Sequence, residues 1–161
     1  MNRIGLALRA LHHGERGLAQ DLLRVSERHV SEHEIHHVAR DLSAWSQRHL
    51  RELAEIGGRY GARLGTGHAL ETGLGARLRE KRSELVKHRS TPGMLLLHDL
   101  RHIHVQAAGV SLDWEMIAQA AQARRDTELL SLTERCHPDT LRQMRWANAH
   151  LKQLSPQVLN S

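Results

Sequence analysis

The sequence predicts an all-α fold, a four-helix bundle made of two helical hairpins. Three observations predict it. Apolar residues recur at i, i+3, i+4 and i+7 over long stretches. Strand formers are scarce: there is no Phe, one Tyr and three Trp, while Leu, Ala and Arg dominate. Finally, one pattern occurs twice. Residues Trp45 to Leu53 and Trp146 to Leu154 both read W-x-x-x-H-L-(Arg or Lys)-x-L. Glu15 precedes His49 by 34 residues, and Glu115 precedes His150 by 35. The two stretches read as an internal repeat of one hairpin.

Helix 1 is expected from Ile4 to Arg28, with Leu8, Leu11, Leu18, Leu22 and Val25 at helical spacing. Gly14 and Gly17 cost propensity beside Glu15, a cost that close approach of another helix would justify. A short turn follows at His29–Ser31. Ser31 and Glu34 form a capping-box pattern that should start helix 2. Helix 2 carries Ile35, Val38, Leu42, Trp45, His49, Leu53 and Ile56 on one face and stops at Gly57-Gly58.

Residues 58–91 read as a long crossover, rich in Gly, with a short amphipathic helix from about Leu74 to Lys87. Thr91-Pro92 is a helix start, a capping residue followed by Pro at the first helical position. Helix 3 runs from there through Leu100, Ile103, Ala107, Val110, Trp114, Ile117 and Ala121. It either breaks near Arg125-Asp126 or continues to Cys136. Pro138 forces a start or a kink. Helix 4 covers at least Asp139 to Leu154, and Ser155-Pro156 should end it. The chain thus reads as one domain, with hairpins at 4–57 and 92–154.

The 161 residues carry a formal charge of +5, which permits contact with an acidic partner without requiring one. The single Cys136 excludes an intramolecular disulfide and a Cys-based zinc site. The first residues are too short and too charged for a signal peptide, and the longest tightly apolar run is about Met94 to Leu97. No membrane segment and a cytoplasmic location are therefore expected.

Short links within each hairpin and one long crossover describe a bundle with a single long connection. On that topology, the repeated hairpin and the Glu-to-His separation, residues 4–56 and 92–154 resemble the ferritin-like superfamily. The resemblance implies an antiparallel bundle with a di-iron centre, in which helices 1 and 3 each give a Glu and helices 2 and 4 each give Glu-x-x-His. Glu15, His49, Glu115 and His150 stand at plausible equivalents. However, Ser46 and Ala147 stand where the bridging carboxylates would be, and Trp45 and Trp146 fill the turn before each His. An indole fills volume and gives no ligand. The chain thus looks like a ferritin-like bundle whose metal centre is altered or absent.

Two readings of the four residues follow. They bind a single Fe, Mn or Zn ion, or they form a buried polar layer without metal, Glu accepting from His. True E-x-x-H strings at Glu34–His37 and Glu134–His137 sit near expected helix ends and are poorer ligand candidates. His98 and His102 are one turn apart, the spacing of a helical metal pair, but read better as a solvated face. The basic run Arg77, Arg79, Lys81, Arg82, Lys87 and Arg89 has no aromatic stacking partners, so a solvated face outranks a nucleic-acid surface. Cys136 reads as an ordinary semi-buried thiol. The leading expectation is a binding, assembly or stress-related protein. A metal-dependent oxidoreductase and a nucleic-acid-binding bundle are the alternatives. Association with further copies of the chain accompanies the resemblance, and no catalytic residue is assigned.

Overall fold

The computed structural model describes residues 2–66 and 91–161. They form four long helices: α1 (Arg3–Arg28), α2 (His33–Gly57), α3 (Pro92–Arg124) and α4 (Thr127–Leu159). The expected short helix at Leu74–Lys87 and the basic run 77–89 lie outside the described residues.

Local chemistry sets the helix ends. Asn2 caps α1, its side chain accepting from the Gly5 N–H at 2.8 Å. At α2 the expected Ser31 capping box is not used. The turn closes with the Glu32 N–H on the His29 carbonyl, which spends Ser31 in the turn. The N-cap is Glu32, with no side-chain cap bond, and α2 starts at His33. Its end is as expected at Gly57, followed by a 3-10 turn over Gly58–Tyr60 and by Gly61 in the left-handed region at φ 71°. A Cβ on Gly57 would sit 2.7 Å from the Ala62 carbonyl, so glycine is required there.

Thr91-Pro92 opens α3 as its sequence predicts. The α3–α4 break falls at Arg125, which is left-handed at φ 54°. Its N–H returns to the Gln122 carbonyl, and that of Asp126 to Ala121. Asp126 then caps α4, accepting from the Leu129 N–H and from the Tyr60 hydroxyl. Helix α4 runs through both Pro138 and Pro156 and ends at Leu159, so Ser155-Pro156 does not terminate it. A proline ring removes one ladder bond. At Pro156 that is the bond to the Lys152 carbonyl; one residue earlier, the Ser155 hydroxyl donates to the Leu151 carbonyl.

Contacts between helices run in opposite chain order. Between α1 and α2, Ser26 meets His36, the Ala19 carbonyl meets Ser43, and Glu15 meets His49. Between α1 and α3, Arg28 meets Asp99, Asp21 meets His102, and Glu15 meets Trp114. Between α2 and α4, Glu52 meets Arg135, His49 meets Asp139, and Ser46 meets Gln143. Ser111 of α3 meets His137 of α4. A single aliphatic core fills the middle, with Leu8, Leu11, Leu22, Leu53, Leu100 and Ile103 among its side chains closed to solvent. The close approach expected at the α1 glycines is present. A Cβ on Gly14 would lie 3.1 Å from Val110, and one on Gly17 would lie 3.0 Å from Gln106.

The left-handed Arg125 generates a prediction. A residue with a Cβ is strained there by about 1 kcal/mol or more, whereas glycine is not. Arg125→Gly should therefore raise the melting temperature by roughly 2–4 °C in a chain of this size. A lower melting temperature would mean that contacts of the Arg125 side chain outweigh the backbone strain.

Candidate functional site

Glu15 is fully buried at mid-α1, and its surroundings come from all four helices. Its Oε1 lies 2.8 Å from His49 Nδ1 of α2 and accepts from Trp114 Nε1 of α3 at 2.8 Å. The Thr140 hydroxyl of α4 approaches the same oxygen at 3.5 Å. Oε2 makes no hydrogen bond. On the far side of the imidazole, His49 Nε2 lies 3.2 Å from Asp139 Oδ2 of α4. Asp139 in turn pairs with Arg48 and, at 2.8 Å, with Arg142.

The ring of His49 is thus held between two carboxylates at its opposite nitrogens. Each carboxylate accepts, so the arrangement is satisfied when both ring nitrogens carry hydrogen. Burial pushes His49 down, but the hydrogen bonds and negative charge of Glu15 and Asp139 more than offset it. The net effect holds its proton above the ordinary range of a histidine. Trp114 also meets His49 edge to face, at 5.9 Å between ring centroids.

Of the sequence candidates, Glu15 and His49 come together and Glu115 and His150 stand apart. Glu115 is exposed on α3. The repeat does not carry over to the inward face of α3: the residue 101 beyond Glu15 is Met116, which is itself exposed. One residue turns a helix by about 100°, so with Trp114 facing inward its neighbour Glu115 faces away. His150 lies 11 residues beyond Asp139 on α4, about 16 Å along the axis. Its Nε2 is 3.5 Å from Glu34, whose side chain is largely exposed.

The two indoles also part company. Trp146 meets His150 edge to face at 5.2 Å, as the one-turn spacing implies. Trp45, half-buried at the rim of the core, is not the indole beside His49; Trp114 from the neighbouring helix is. Ser46 receives a hydrogen bond from Gln143 at 3.0 Å, and Ala147 belongs to the apolar core. Neither position offers a carboxylate.

The remaining candidates disperse. His137 bonds Ser111 at 2.8 Å, while Glu134, of the same E-x-x-H string, is exposed. His102 pairs with Asp21 at 2.9 Å, and His98 sits 3.7 Å from Asp99. Cys136 is buried, and burial pushes its thiol up. Among the described residues, no group of three or more His, Cys, Asp or Glu has the geometry to hold a metal ion. The cleft between α2 and α4, lined by Glu52, Glu55, Ile56, Glu128, Leu132 and Arg135, does not include Glu15 or His49. No helix among the described residues is long and apolar enough to cross a membrane.

Trp114, Asp139 and Thr140 are the site residues that sequence reasoning missed. Trp114 carried a usable signal, since it continues the Ala107, Val110, Ile117 and Ala121 face of α3. Asp139 carried none, because it follows Pro138, where an interrupted helix was expected. No family model, curated protein or solved structure matches this chain.

The sign of the His49 shift fixes a pH dependence. A histidine whose folded pKa is raised adds stability that is complete below its ordinary value of 6.5 and disappears as pH rises through the folded value. His12 acts in the other direction, since burial lowers it, so the variant difference is the informative quantity. The stability gap between the native chain and His49→Gln, measured by denaturant unfolding, should be widest in mild acid and narrow with rising pH. A gap that widens with pH would show that His49 is neutral in the fold.

Trp114→Phe keeps an aromatic ring but removes one donor to the buried Glu15 and the volume of the indole's second ring. It should cost at least about 1–3 kcal/mol, with the helical circular dichroism retained. A cost near zero would place that hydrogen bond outside the forces that hold the centre.

Proposed function

We propose that this chain is a ferritin-like helical-bundle protein in which protons and hydrogen bonds do the work that a metal pair does in di-iron relatives. Its role is then binding or assembly, not oxidation. The observation that carries this reading is His49, with both ring nitrogens engaged by carboxylates from different helices.

Topology supports the ferritin-like part. The reversed contact order supports a reading in which α1 is antiparallel to α2 and to α3, and α4 antiparallel to α2. Helices α2 and α3 then point the same way. The end of α2 and the start of α3 fall at opposite ends of the bundle, which calls for one long crossover.

The residues at the centre do not fit a di-iron pair. A metal ligand needs an imidazole lone pair, and both edges of His49 face carboxylates. Trp114 N–H and the Thr140 hydroxyl direct hydrogen at the Glu15 oxygen where a cation would sit. A cationic histidine offsets the buried carboxylates as a metal would, without a second metal-binding half.

Metal analysis tests the proposal. The purified chain, incubated with Fe(II), Mn(II) or Zn(II) without oxygen and then desalted, should retain well under one metal per chain. Retention of one or two metals, lost on Glu15→Gln or His49→Gln, would sink it and favour the metal-dependent oxidoreductase.

A further inference from the structure

We propose that a second copy of this chain docks on the outer face of α3, with the two α3 helices antiparallel across a two-fold axis. This goes beyond the metal-free reading above and does not depend on it.

Helix α3 is apolar on two faces. The inner face holds Leu100, Ile103, Ala107, Val110, Trp114 and Ile117. The outer face presents Val105, Leu112 and Met116, each more than half exposed. These three, with Met94, make four of the seven large exposed hydrophobics among the described residues. Scattered single apolar residues on a surface are ordinary. Here Val105, Leu112 and Met116 recur seven and four residues apart along one helix, the pattern of a packing seam.

At the middle of the seam is Gly109, exposed and without a side chain. No other described residue lies within 4 Å of where its Cβ would stand. Among the described residues nothing packs on the missing side chain, in contrast to Gly14 and Gly17. An open glycine between large apolar residues lets another helix approach closely.

Charge identifies the occupant. Arg101 and Glu115 are exposed, and among the described residues neither forms an ion pair. At 100° per residue, both fall on the same edge of the Val105–Leu112–Met116 seam. An antiparallel two-fold pairing brings residues of one edge together, head to tail. With its centre at Ala108–Gly109, Val105 of one copy meets Leu112 of the other. Each Arg101 then lies across from the Glu115–Met116 turn of its partner, twice per dimer. A parallel pairing would set this edge against the partner's opposite edge, which carries neither Arg101 nor Glu115. The seam is thus complementary to itself in one orientation, and a second copy supplies both the apolar and the charged counterpart.

Sedimentation equilibrium of the full chain tests this. The native chain should form a concentration-dependent dimer. Arg101→Glu and Glu115→Arg alone should each weaken it roughly tenfold or more, because each sets like charges face to face. Leu112→Glu should abolish it. The double variant R101E/E115R should regain most of the native affinity. Positions 101 and 115 are about 21 Å apart along one helix, so such rescue cannot arise within a single chain. Thermal melts taken at concentrations where every chain is monomeric should be little changed, since these side chains are exposed there. A native chain that stays monomeric at every concentration would overturn the proposal, as it would if another part of the chain covered the seam. So would a dimer indifferent to the single substitutions, or a double variant no better than the worse single one.

Discussion

The buried pairing of Glu15 with His49 is the constraint around which the bundle is set. Taking a carboxylate and an imidazole out of water is costly, and their mutual attraction repays it only with good geometry and further partners. Each partner here comes from a different helix. Glu15 needs α2 for the imidazole and α3 for the indole N–H; His49 needs α4 for Asp139. Sliding any helix by one residue would leave at least one of these groups buried and alone, which costs more than the pair itself contributes. The surrounding core is aliphatic and without Phe, and leucine faces repack readily. Such a core supplies most of the burial energy but discriminates poorly between registers. The polar centre supplies the discrimination.

The outer half of the network explains how a charge can be kept there. Asp139 is near the surface and holds Arg48 and Arg142, so the far end of His49 is tied to solvated guanidinium groups. Glu15 has no such exit and depends on His49, Trp114 and Thr140. The unpartnered Oε2 marks where the enclosure is least complete. A second polar step lies farther along α4, where Gln143 donates to the Leu42 carbonyl and to Ser46. Polar contacts between α2 and α4 thus recur along the bundle rather than concentrating into a metal cage.

Much of this was legible in the sequence, and the failures have physical causes. The four long helices follow from periodicity, and the 34-residue separation of Glu15 and His49 placed them level across a hairpin. The same reasoning failed at Glu115 because the repeat does not carry over to α3, where Trp114 takes the inward face at this level. On a helix one residue is the difference between core and solvent. The helix break was ambiguous because its left-handed residue is Arg125, where glycine is the usual signal. Pro138 and Pro156 misled in the opposite direction. Each looks like a stop, yet packing of α4 along its length outweighs one lost backbone bond per proline. Ser31 and Glu34 match a capping box in letters, but the backbone of the turn had already used the serine.

The two hairpins differ in what they bury. In the first, Glu15, 34 residues before His49, points inward and completes the centre. In the second, the inward residue of α3 at this level is Trp114, which satisfies Glu15 instead of presenting an acid of its own. One large side chain therefore serves as both core filler and hydrogen-bond donor, and a second buried carboxylate would have had no unclaimed imidazole to meet. His49 is already spanned by Glu15 and Asp139, and His150 faces Glu34 at the rim. The asymmetry matches the hydrogen bonds on offer: both nitrogens of His49 are already taken, by Glu15 and by Asp139. Turning Glu115 outward relieves the interior of a third carboxylate and leaves that side chain on the outer face of α3.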